Sequence, residues 1–374
     1  MIKRILALVR KEFIHLRKDW WLPAFMLLGG ALELLLVGWA TSRPLTNLPL
    51  MVWDQDKTAH SQQVITALEN TGTFALDAHV EGMTPIQDAL EKSEITAAVI
   101  IPPNYTQEIT ADQGHPTLAV FLNGAESFPA KEALRAIQGV TREIGENVTL
   151  EKMGLTPEAL AGFDFSLRVW FNETLSEAYY TTPAELGLML EFTILLFAAL
   201  SFSRERELGT LEQLLVMPFS SLELMIGKAI PVMIIGFFDF FLMLGMIHFA
   251  FSVPVRGSLL LLGFLALGYL FVELSKGMVI SVISRSQHQA FLLVLLVGMV
   301  DFMFTGYAAP VEGMPPILQY IAQVIPAHHW LTILRGILLK GAGLALLWPN
   351  VLTLLVLGII ISTFSWRFVR RKLD

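Results

Sequence analysis

The feature that decides what this chain can become is a set of six long apolar runs, at about 20–41, 184–203, 229–251, 258–283, 290–309 and 344–366. A helix rises about 1.5 Å per residue, so crossing the hydrocarbon core of a bilayer takes roughly 20 mostly apolar residues. Each run is of that order. Only 16% of the 374 residues are charged and 54% are hydrophobic, whereas soluble domains carry about 25% charged residues. These runs predict a polytopic α-helical membrane protein with six transmembrane helices.

Charge divides the chain in two. Residues 43–183 hold 8 Lys/Arg against 19 Asp/Glu, a balance of −11, and the remainder holds 18 against 14, a balance of +4. A soluble acidic domain inserted into a slightly basic membrane body accounts for the contrast. Nucleic acid is not expected as a partner. The chain has no Cys, which excludes disulfides, thiolate metal sites and a Cys nucleophile but leaves the compartment open.

Orientation follows from Lys and Arg, which are retained on the cytoplasmic side of short loops. Lys3, Arg4, Arg10, Lys11, Arg17 and Lys18 precede the first run, Arg204, Arg206 and Lys228 lie between the second and third, and Arg367, Arg370, Arg371 and Lys372 follow the last. The opposite loops hold chiefly Arg256, Arg335 and Lys340. Both termini, with Lys11 and Thr210, are therefore expected in the cytoplasm, and the 43–183 block, with Gln113, outside.

Trp39-Ala40-Thr41-Ser42 places small residues after the first run, as a signal-peptide cleavage site would. An h-region, however, is about 7–15 residues long, and this run is span-length. Before it, Ile2, Ile5, Leu6, Val9 and Phe13 share one helical face opposite the bases, the pattern of an uncleaved amphipathic helix lying on the inner leaflet. The expected organisation is an interfacial helix at 1–19, the first span at 20–41, an external α/β domain at 42–183, and spans 2–6 within 184–374.

Inside the external block, strand-like and helix-like stretches alternate. Strands are predicted at 48–53, 74–80, 97–101 and 117–122, with helices at 58–70, at 85–92, from Asn104 and from Pro129. Leu134, Ile137, Thr141, Ile144 and Val148 mark one face of the last helix. The result is a small mixed sheet covered by helices. Asp54 and Asp56 end the first strand, a place where α/β domains often bind ligands, but the following Lys57-Thr58 reads as a helix start, so turn formation and capping is the favoured role. His60, His79 and His115 have no metal-ligand spacing. Neither a Gly-x-Ser-x-Gly elbow nor a His-Glu-x-x-His motif occurs.

The most specific stretch follows the second run: Arg204-Glu205-Arg206-Glu207-Leu208-Gly209-Thr210-Leu211-Glu212-Gln213-Leu214-Leu215-Val216-Met217-Pro218. Thr210 can cap a short helix, Leu211, Leu214 and Leu215 give it an apolar face, and Pro218 stops it. This segment resembles the Arg-Glu-Arg-Glu-x-Gly-Thr-x-Glu-x-Leu-Leu-x-x-Pro signature of the permease subunits of type-2 ABC exporters. The likeness extends to Leu8-Val9-Arg10-Lys11-Glu12-Phe13 with Arg17 and Asp19 (the family's elbow helix), to Ala98–Tyr105 in the external domain and to Gly227-Lys228 at the entry to span 3. It includes an external re-entrant segment at 310–341, with Pro310–Pro316, Pro326 and Arg335–Gly341. Glu33 departs from the pattern, since relatives usually carry a neutral polar or apolar residue in that span.

The resemblance implies a non-catalytic permease of the multidrug-type subgroup, in a bacterial inner membrane, conducting drugs or other amphipathic compounds. No Gly-x-x-x-x-Gly-Lys-Ser/Thr cradle is present, so ATP and Mg are expected on a separate ABC ATPase. A second permease copy or a paralogue is expected as partner, with a periplasmic adaptor on the acidic domain. Coupling to the ATPase falls to Arg204, Glu205, Arg206, Glu207, Gly209, Thr210, Glu212, Gln213 and Pro218, together with Lys11 and Glu12.

Ionisable residues in spans are costly and usually functional or paired. Glu273 and Lys276, three apart, are expected to neutralise each other. Glu33, Glu191, Asp239 and Asp301 remain as candidate pathway residues, and Asp239 and Asp301 lack a sequence-local partner. Asp239, Asp301 and Glu33 also support a rival reading, a proton- or sodium-coupled secondary transporter, which internal inverted repeats would favour; none is evident. A membrane-anchored enzyme or sensor lacks any catalytic constellation. His328 and His329, beside Trp330, are expected to be structural.

Overall fold

Residues 1–42, 45–111, 114–153, 170–173, 176–307 and 309–373 are described in the computed structural model; Gln113 and the side chain of Leu215 lie outside the described residues. The chain divides into two compact units, Met1–Arg43 with Val169–Asp374, and Pro44–Arg168. The first unit opens with α1 (Ile2–Lys18) and α2 (Trp21–Ser42).

The second unit runs β1 (Leu48–Asp54), α3 (Ala59–Asn70), β2 (Phe74–His79), α4 (Met83–Glu91), β3 (Ala97–Ile101), α5 (Tyr105–Thr110), β4 (Ala119–Leu122) and α6 (Ser127–Met153). Its sheet has the order β2-β1-β3-β4, parallel except for the antiparallel β3–β4 pair. Alternation along β3 sends Val99 and Ile101 to one face, against Val64, Leu68 and Ile137, and Ala98 to the other, against Ile86 and Ala89. Helices thus cover both faces. Asp54 accepts the amides of Asp56 and Lys57 at 3.0 and 2.9 Å, Asp56 accepts the Thr58 hydroxyl, and Thr58 closes a capping box with Ser61. Both carboxylates serve the turn into α3. The buried stripe of α6 is Ala130, Ala133, Ile137 and Val140, while Leu134 and Thr141 are exposed. Ile137, Ile144 and Val148 pack against the core as expected, whereas at the other two positions Ala133 and Val140 are buried in place of Leu134 and Thr141.

The chain then returns to the first unit with α7 (Ala178–Glu207), α8 (Leu211–Val216), α9 (Ser221–Phe251), α10 (Leu259–Ile283), α11 (Gln287–Phe304), α12 (Pro316–Ala322), α13 (Pro326–Lys340) and α14 (Leu344–Leu373). Among the described residues six helices, α2, α7, α9, α10, α11 and α14, are long and apolar enough to cross a membrane. Two boundaries differ from the sequence reading in a way that matters. Arg204–Glu207 form the last turn of α7 and not a loop. A capping box of Ser220 and Glu223 starts α9 ahead of the expected 229, so Lys228 lies inside the helix.

The segment expected to re-enter forms a short 3-10 turn at Val311–Gly313, then α12 and α13. The α13 helix is packed into the core: Trp330 stacks on Tyr269 with ring centroids 5.0 Å apart and meets Phe240 at 6.0 Å. His329 bridges Asn350 Oδ1 and the Gln323 carbonyl at 3.0 and 2.9 Å, and His328 approaches the Thr305 carbonyl.

Candidate functional site

With 3.6 residues per turn, four successive residues at a helix end point in four directions. At the end of α7 these directions together reach α1, α9, α10 and α11. Arg204 donates to Asp19, immediately after α1. Glu205 accepts from Lys11 of α1 and lies 3.4 Å from Lys228 of α9. Arg206 donates to the Val282 and Ser284 carbonyls at the end of α10, satisfying acceptors that a helix terminus leaves free. The Glu207 carboxylate accepts the Gln287 amide at 2.7 Å, placing negative charge at the start of α11 where the helix dipole favours it.

Lys228 is the most enclosed member of this network, its side chain 2% exposed. Its ammonium donates to Glu12 Oε1 at 2.9 Å and to the Ser201 carbonyl at 2.8 Å. Lys11 and Lys228 together balance Glu12 and Glu205, the condition under which buried charge is tolerated. Beside the network, α1 approaches α9 so closely that a Cβ at Gly227 would stand 2.6 Å from Leu8 Cβ. The apolar residues Ile2, Leu6 and Phe13 instead lie on the exposed side of α1. The helix therefore has a packing face and a free apolar face. His15, at the network's edge, has its pKa lowered first by burial and then by Lys11. Donor atoms of Glu12, His15 and Glu205 lie within 4.8 Å of one another, a spacing that suits a metal, but both carboxylates are already bonded to lysines.

Gly209 has φ +71, and a Cβ there would meet nothing within 4 Å. Conformation, not crowding, is what calls for glycine at this turn. The Thr210 side chain does not cap α8 as expected; its hydroxyl donates to the Glu205 carboxylate, tying the turn back to the network. Leu211 and Leu214 are buried, Glu212 and Gln213 are exposed, and the Pro218 carbonyl accepts Arg4 Nη1 at 2.7 Å. An apolar face is thereby held inward and a polar one left outward.

The ionisable residues within the spans separate into three environments. Lys276 of α10 pairs with Glu273 at 2.6 Å, as its spacing implied, and also with Glu191 of α7 at 3.3 Å and Asp301 of α11 at 2.5 Å. Asp301, without a partner nearby in sequence, has one 25 residues away. The Tyr269 hydroxyl donates to Glu191 at 3.4 Å. Asp239 is fully buried beside Thr193. Glu33 is exposed on α2 and lines a cavity of about 440 Å³ between α2, α7 and α11. Of the four acids proposed for a pathway, Glu33 faces this open space, and Glu191 and Asp301 are engaged in holding three helices together.

A family model described as ABC-2 family transporter protein matches residues 20–367. The chain belongs to the ABC-2 transporter family. It is 27% identical over 372 residues, covering all of both chains, to the probable multidrug ABC transporter permease YbhR of Escherichia coli. Similarity to the probable multidrug permease YbhS is 26% over 306 residues, 81% of this chain and 80% of the relative; to the inner membrane transport permease YhhJ it is 28% over 317 residues, 83% and 82% respectively. The chain is thus a multi-pass ABC-2 permease, a non-catalytic transporter subunit, with its α/β sheet lying in sequence between the first and second spans.

Proposed function

We propose that this ABC-2 permease forms, with a second copy or a paralogue, the membrane part of an exporter in a bacterial inner membrane. A separate ABC ATPase binds ATP and Mg and drives it. Both termini are cytoplasmic and the Pro44–Arg168 unit is periplasmic, where its acidic surface offers a site for an adaptor protein. The cargo is a drug or another amphipathic compound, a reading supported by the relatives named as multidrug permeases.

The observation that carries this reading is the spread of Arg204–Glu207 over four partners. Force applied to α1 reaches α7, α9, α10 and α11 through charged and hydrogen-bonded contacts, and the turn that carries α8 is tied to the same network by Thr210. A motor that rocks this end can therefore bias a two-state bundle, which is what transport by alternating shape requires. The Lys276 cluster disfavours the secondary-carrier reading, since Asp301, one of the three acids that reading uses, is tied to a lysine. Inside-out vesicles containing the permease and its ATPase should take up a fluorescent amphipathic dye only when ATP is hydrolysed. Uptake that needs no ATPase and follows an imposed pH gradient would support the carrier instead.

A further inference from the structure

Glu33 is the one ionisable residue of α2, and no described residue gives it a hydrogen bond or a cationic partner. The groups that feel its charge are Glu185 and Tyr307. Glu185 is itself an acid, 2% exposed, and accepts the Tyr307 hydroxyl at 2.6 Å. Among the described residues Glu33 is the one carboxylate lining the cavity between α2, α7 and α11, and no base lines it. Apart from Thr193 the rest of the lining is apolar and polarisable: Phe25, Met26, Phe192, Met299 and Phe302 contribute rings and thioethers. At about 440 Å³, the space falls within the roughly 300–1,000 Å³ of small-molecule sites.

A carboxylate exposed along an apolar span is costly unless something neutralises it. Neither α2 nor α11 contains a Lys or Arg, so a second copy laid against this face through those helices brings no countercharge. The occupant must bring its own. Aromatic faces attract cations through their ring quadrupoles, and methionine adapts to varied aromatic shapes. Resting on the reading of the chain as an exporter's permease, we propose that the α2–α7–α11 cavity binds amphipathic organic monocations and that Glu33 is the residue selecting positive charge.

Tetraphenylphosphonium and tetraphenylborate share size and shape and differ in the sign of their charge. Equilibrium binding of each to the full-length permease in nanodiscs should favour the phosphonium. Glu33→Gln should weaken phosphonium binding about tenfold, or about 1.4 kcal/mol, and leave borate binding unchanged or stronger. Glu33→Asp, which keeps the carboxylate, should stay within a few-fold of the parent. Equal phosphonium binding by the parent and Glu33→Gln, or equal affinity of the parent for both ions, overturns the assignment. ATP-driven dye uptake is measured on the same preparations with the ATPase added. If uptake persists while the charge preference is absent, the cation site falls and the exporter reading stands; if the parent shows no ATP-driven uptake, the exporter reading falls whatever the ions do.

Discussion

The Lys228 ammonium of α9 lies 2.9 Å from the Glu12 carboxylate of α1, although 216 residues separate them in sequence. Because Lys228 also touches Ser201 and Glu205 of α7, one side chain joins three helices. Removing one member of a buried charge group leaves the others uncompensated, at about 3–5 kcal/mol. Lys228→Met should lower the thermal midpoint and uncouple ATP hydrolysis from transport. Adding Glu12→Gln should recover part of the stability, because charge balance is restored. A single variant with the parent's midpoint and transport would show the network to be idle.

Gly209 tests conformation separately from charge. At φ +71 an L-residue with a Cβ pays about 1–2 kcal/mol, and Asn tolerates the region better than Ala. Gly209→Ala should cut transport-linked ATPase activity more than Gly209→Asn, with insertion unaffected in both. Equal activity in both variants and the parent would reduce the turn to a simple connector.

A tight approach makes a third prediction. A methyl group at Gly227 would drive into Leu8, and overpacking of this kind costs about 1–3 kcal/mol. Gly227→Ala should loosen α1, raising protease cleavage near its end, and Leu8→Gly in the same chain, which removes the clashing Cβ, should reverse part of that, less the roughly 1 kcal/mol that a glycine costs inside a helix. Cleavage identical to the parent's would mean that α1 is held by its charges alone.

These contacts explain what the sequence disclosed and what it withheld. Length and hydropathy suffice for six spans, and period-two and helical patterns suffice for the sheet and its covering helices. Arg204–Glu207 were legible as a motif, because their order is distinctive. Their partners were not, since Asp19, Lys228, Ser284 and Gln287 come from distant parts of the chain. The same holds for Asp301, whose isolation in sequence gives no sign of Lys276. The apolar stripe of α1 was visible, but its packing side was not: Leu8 has no special neighbour in sequence, and only the glycine at 227 signals that something comes close. Glu33 stood out as a departure from the family pattern, yet the cavity beside it depends on three helices assembling.

The Lys276 cluster holds three acids around one base, so its members should respond unequally. Lys276→Met strands three carboxylates and should abolish folding or accumulation. Asp301→Asn leaves Lys276 with two acids and should retain ATP-dependent transport, as should Asp239→Asn, since neither proton is required by an ATP-driven cycle. Accumulation assays and vesicle uptake separate these outcomes. Loss of uptake in both Asn variants, despite normal accumulation, would argue for proton coupling.

In the proposed exporter a separate ATPase grips the end of the bundle where α8 presents Glu212, which is exposed. Because the chain has no Cys, a single cysteine replacing Glu212 can be cross-linked to the ATPase in native membranes, with a cysteine replacing Glu312 as the opposite-face control. Cross-linking at 212 that changes in yield on ATP binding, with none at 312, is the expected result. A permease that cross-links to no ATPase at 212, or does so only at 312, would contradict the account.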